Sequence, residues 1–114
     1  MTDPHSLPAL VDAHLAAARE ASSGRSAHTV YGGREHRLRQ TVLALRAGVR
    51  LGEHDSPGEA TLQVLAGEVV LHGPAGSGES WSAAAGDLLP IPPMRHDLEA
   101  TTDAAVLLTV VAGG

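Results

Sequence analysis

The sequence predicts an all-β fold, a small antiparallel barrel, with one α-helix in front of it. Three observations carry this expectation. Helical periodicity is confined to the first two dozen residues. After them come short apolar and alternating runs, with turn signals roughly every 8–12 residues, the pattern of a sandwich or barrel. The third is composition: there is no Phe, and Trp81 and Tyr31 are the only aromatics. A core of Leu, Val and Ala fits closely stacked strands better than a wide helical bundle.

The helix is expected over SLPALVDAHLAAAREASSG. Ser6 is a suitable N-cap, Pro8 falls in the first turn where a missing N–H costs nothing, and Gly24 can end it. Leu7, Leu10, Val11, Leu15 and Ala18 share one face, which must be buried on something. Residues 1–26 are therefore read as a helical segment and 27–114 as the barrel. Two strands flank the turn at Gly32 and Gly33. In the second, Arg39, Thr41, Leu43 and Leu45 point one way and Gln40, Val42, Ala44 and Arg46 the other. TLQVLAGEVVLHG reads as a strand pair hinged near Gly67. GPAGSGES is a turn without the Lys or the following helix of a phosphate loop. SWSAAAGDLLPIPPMRHDLEA gives short strands broken by prolines, and AAVLLTVV a last, wholly apolar strand.

Composition narrows the chemistry. The chain of 114 residues has no Cys, so thiolate ligands, disulfides and a Cys nucleophile are excluded. It has no Lys either, which excludes Schiff-base chemistry, and its Arg residues are scattered in a chain of net charge −5. A nucleic-acid surface is not expected. No apolar run approaches membrane-spanning length, and MTDPHSLP lacks the basic and apolar regions of a signal peptide. The expectation is a soluble, cytoplasmic protein.

Two spaced motifs stand out. Gly48 is followed by five residues and His54; Ser56, Ala60 and Gly67 come after it at fixed intervals. Farther on, Gly86 is followed by five residues and Pro92, then by His96 and Ala100. In this order and spacing the stretch from about Arg39 to Val111 resembles the cupins, small jelly-roll barrels built as a double-stranded β-helix. The resemblance covers about two-thirds of the chain. It implies that His54 and His96 stand where the family holds metal ligands. Ser56 stands for a second His and Ala60 for a Glu. Two imidazoles alone hold a divalent ion weakly, since stable sites use three or four protein ligands. The expectation is thus no tightly bound metal; if one binds, it is Fe, Mn, Ni, Zn or Cu, held by His54 and His96. Glu59 would join them only through a bulge near residues 57 and 58, because strand alternation turns it away from the interior. Glu53 is turned away for the same reason.

The remaining histidines read as structural. Alternation puts His72 on the outside, His14 lies at the rim of the helix stripe, and His5 and His28 suggest nothing more. His36 lies near Arg37 and Arg39, beside a barrel mouth. The predicted pocket has apolar walls from Leu43, Leu45, Leu62 and Val64, with Thr41, Val69 and Leu71 in phase. His54, Ser56 and His96 are its polar groups, and Arg39 a charge at one mouth. Three functions fit: a small-molecule-binding barrel, an enzyme using a metal or an imidazole acid–base, or a structural module. A homodimer is expected from outward-facing Val42, Ala44 and Val70 and from the family resemblance.

Overall fold

The structure is a computed structural model in which residues 2–56 and 58–112 are described. Helix α1 (Leu7–Glu20) is followed by eight strands: β1 (Arg25–Tyr31), β2 (Leu38–Leu45), β3 (Glu59–Ala66), β4 (Glu68–His72), β5 (Ser80–Ala84), β6 (Leu88–Pro90), β7 (Asp97–Ala100) and β8 (Ala104–Val111). They form a five-stranded sheet in the order β1-β2-β8-β3-β6 and a three-stranded sheet in the order β5-β4-β7. Every strand pair is antiparallel. The two sheets share one core, the arrangement of a jelly roll. No helix among the described residues is long and apolar enough to cross a membrane.

The position of β8 explains why all of its residues but Thr109 are apolar. The strand lies between β2 and β3, so both of its edges are paired, and its first part, Ala104 to Val106, is buried on both faces. Ala104 and Val106 enter the barrel core with Leu45, Leu62, Val64, Val69, Leu71 and Leu98. Ala105 faces the other way and packs with Val11, Ala18 and Ala44. That second cluster is where α1 buries its stripe, across the outer face of the large sheet. Small residues at 18, 44 and 105, each with no exposed surface, let helix and sheet approach closely.

Val42 and Ala44, expected to offer apolar surface to a second copy, are instead fully buried within this chain. Alternation places them on the outer face, as expected, but that face carries a helix. Val70 remains partly exposed.

The helix begins as its sequence indicates, with Ser6 Oγ accepting from the Ala9 N–H at 3.3 Å. It ends earlier than expected, at Glu20, and Gly24 at φ +71° instead turns the chain into β1. Arg46 satisfies the helix end by donating to the carbonyls of Arg19 and Ala21, each at 3.2 Å. Arg19 pairs with Asp103 at 2.7 Å, tying the last turn to the loop before β8.

Gly67 is not the hinge of a hairpin. Strands β3 and β4 belong to different sheets, and the chain crosses between them at Gly67, whose φ is +75°.

Candidate functional site

His54 and His96 come from loops that lie far apart in sequence. A two-residue β-bridge joins them: each donates its backbone N–H to the other's carbonyl at 3.0 Å. The bridge holds the rings edge to face, with centroids 4.4 Å apart. His96 is 3% exposed, while His54 stands at the exposed mouth.

The outer side of the bridge is clamped by charge. Residues 53 and 55 flank His54, and residue 95 precedes His96. Arg95 reaches Glu53 at 2.9 Å and Asp55 at 2.8 Å. Glu53 also accepts from the Ala75 N–H at 2.9 Å, which brings the Gly-rich turn into the same clamp. The Arg95 hydrogen bond, followed by the Ala75 amide, holds the Glu53 carboxyl below the usual carboxylate range. Arg19, followed by the Ala47 amide, does the same for Asp103. A group whose folded pKa is depressed stabilises the fold above its unfolded pKa and loses that contribution as pH falls through the folded value. The thermal midpoint should therefore drop as pH falls below about 4, and Glu53→Gln should flatten part of that slope. Thermal scans at several acid pH values check it; an unchanged slope in Glu53→Gln would mean the clamp does not contribute.

A second brace lies beside the first. Asp97, 6% exposed, accepts from Arg50 Nε at 2.7 Å and from the Gly52 N–H at 2.8 Å. It thereby fixes the loop that carries Leu51 and leads to His54.

Between the sheets, inside the bridge, is a cavity lined by Leu43, Leu51, His54, Leu62, Leu71, Ile91, His96, Leu98, Val106 and Leu108. The atom-free space, open mouth included, is about 400 Å³, of which about 50 Å³ can hold the centre of a water molecule. Among the described residues, its only polar side chains are the two imidazoles.

Hydrogen bonding fixes what those imidazoles can offer. His54 Nδ1 lies 2.9 Å from the Gly52 carbonyl and His96 Nδ1 lies 2.8 Å from the Met94 carbonyl. A carbonyl only accepts, so each ring carries a proton on Nδ1. In the neutral ring, Nε2 is then a bare lone pair. Among the described residues neither Nε2 has a hydrogen-bond partner, and no buried side-chain nitrogen or oxygen is left sealed off without one. The Nε2 of buried His96 therefore opens to the cavity that the ring lines.

The other expected site residues are placed differently. Leu43 and Leu62 line the cavity, whereas Leu45 and Val64 are buried in the core around it without reaching it. Ser56 Oγ donates to the Gly58 carbonyl at 3.1 Å and does not line the cavity. Arg39 is exposed and donates to the His36 carbonyl at 3.3 Å, away from the lining. Glu59 is exposed at the start of β3. Of the two residues where a bulge would turn it inward, residue 57 lies outside those described. His72 pairs with Glu99 at 2.7 Å on the outer face of the small sheet.

Leu51, Ile91, Leu98, Val106 and Leu108 join the lining without having been singled out by motif or alternation. A signal existed for Leu98, two residues beyond His96 and so on the same face of β7.

These donors do not fit a divalent metal held by three or four protein ligands. Among the described residues no group of three His, Cys, Asp or Glu is placed to hold an ion. The flanking acids Glu53, Asp55 and Asp97 are all engaged by arginines.

No family model matches the sequence, and no curated protein is significantly similar to it. Solved structures with the same fold are numerous. A cupin superfamily protein from Desulfitobacterium hafniense aligns with a TM-score of 0.74 over 99% of this chain and 94% of its own, at 16% identity. An RmlC-like cupin from Desulfovibrio desulfuricans aligns at 0.64 over 76% of this chain and 81% of its own, at 26% identity. The salicylate 1,2-dioxygenase of Pseudoaminobacter salicylatoxidans aligns at 0.74 over 94% of this chain but only 33% of the enzyme, at 19% identity. With the jelly-roll topology and the two glycine-spaced motifs, these likenesses identify the chain as a small barrel protein of the cupin superfamily.

Proposed function

We propose that this barrel binds a small molecule in the cavity behind His54 and His96 and holds no tightly bound metal. The observation that supports it most directly is the lining: apolar walls that converge on two imidazoles, each with an Nε2 that has no partner among the described residues. Such a space removes apolar ligand surface from water and leaves one place for a polar anchor. The clamp and the buried Asp97 hold both loops in place before a ligand arrives, which lowers the ordering cost of binding.

A second reading is a divalent-metal-dependent enzyme of dioxygenase or isomerase type using His54 and His96. One observation favours it: metal-ligating histidines commonly give their other ring N–H to a carbonyl, as both rings do here. The missing third and fourth ligands count against it. A homodimer remains part of the proposed function. With Val42 and Ala44 covered, its support is the exposed pair Leu38 and Val111, neighbours across β2 and β8, together with exposed Tyr31.

Native mass spectrometry of the freshly purified protein tests all of this at once. The expected spectrum is a dimer with substoichiometric metal and, where the ligand survives purification, an added small mass. Near-stoichiometric Fe, Mn, Ni, Zn or Cu that is lost in His54→Ala or His96→Ala would replace the first reading with the second. A monomer at micromolar concentration would remove the dimer.

A further inference from the structure

We infer that the ligand is a small uncharged molecule, mostly apolar, that presents a hydroxyl or N–H hydrogen-bond donor to the Nε2 of buried His96. This rests on the binding proposal above and narrows it by chemistry.

Each alternative meets a specific obstacle. An acceptor-only ligand, such as a ketone or ether, needs a donor, but both Nδ1 protons are already given to the Gly52 and Met94 carbonyls. An anion would meet two lone pairs and no cationic side chain among the described lining residues. Arg50 and Arg95, the arginines beside these loops, are paired with Asp97 and with Glu53 and Asp55, and neither lines the cavity. A cation would find no carboxylate among the lining residues. A purely apolar ligand would displace water from His96 Nε2 and leave that buried acceptor unsatisfied, which opposes binding. A hydroxyl or N–H on an apolar body satisfies the acceptor and fills the rest of the space. The size of that space suits a single ring or a short branched chain.

Phenol, toluene and benzoate test this, because they share a ring and differ in the group they present. Hydrophobicity alone favours toluene over phenol, so the quantity that matters is the ratio of their affinities in the native chain and in His96→Leu. Titrations at about pH 8, where ordinary imidazoles are neutral, should show that ratio shifting about fivefold toward toluene in the variant. Nitrogen-15 spectra of the native chain supply a readout that does not depend on the variant folding. Both free rings should show protonated Nδ1 and unprotonated Nε2, and phenol but not toluene should shift the His96 Nε2 resonance.

An unchanged ratio, a protonated Nε2 in the free neutral rings, or benzoate binding more tightly than phenol would overturn the donor inference while leaving a binding cavity. Failure of all three probes to bind a folded native chain would remove the binding proposal itself.

Discussion

Gly67→Ala should lower stability by roughly 4 kcal/mol, enough to unfold much of a marginally stable domain. Two separate costs combine. The chain passes from the large sheet to the small one at this residue with φ +75°, a region that residues with a Cβ enter only under strain. The new Cβ would also be driven into the Asp103 carbonyl, with Thr102 Oγ1 only 2.7 Å away and Ala104 Cα 2.9 Å away. Those atoms belong to the turn into β8, the central strand, so they cannot yield without disturbing both of its neighbours. Gly76→Ala is the control. Gly76 has a similar φ of +83°, but a Cβ there would meet no atom within 4 Å, so the change should cost about 1 kcal/mol. Urea unfolding of both variants separates backbone strain from crowding. Equal losses would show that the close approach to Asp103 does not matter.

Asp97→Ala should cost about 3 kcal/mol, from the loss of two hydrogen bonds to a charged acceptor in a mostly buried place. Asp97→Asn should lose about half of that, because its side-chain oxygen can still accept from Gly52 while the attraction to Arg50 is gone. The effect should be local as well as global. In Asp97→Ala the Gly52 amide should exchange with solvent far faster than amides of β8, since the loop before His54 loses its anchor. Hydrogen exchange reads this directly. Protection at Gly52 equal to that in the native chain would mean the carboxylate does not hold the loop.

What could be read from the sequence followed from local rules. The helix start at Ser6, the turn between β1 and β2, the inward set Leu43, Leu62 and Leu71, and the outward aim of His72 are each fixed by spacing within one segment. What could not be read depended on distant partners. Alternation separates the two faces of β2 but does not say that α1 will pack on Ala44 or that Val42 will be fully buried. Gly67 marks a change of direction without saying that its two strands enter different sheets. In β8 every residue but Thr109 is apolar, so no alternation singles out Val106 and Leu108 as lining. Ser56 has the right spacing for the site, yet its hydroxyl has a nearer acceptor in the Gly58 carbonyl, and the short local bond wins.

The bridge between residues 54 and 96 is made by main-chain atoms alone, with both of its hydrogen bonds independent of side-chain identity. The frame of the site and its chemistry are therefore separable. Substitution at either position can exchange an imidazole for another group while the two loops stay paired, so the barrel can change what it recognises without first losing its shape. On such a scaffold, function can drift faster than architecture.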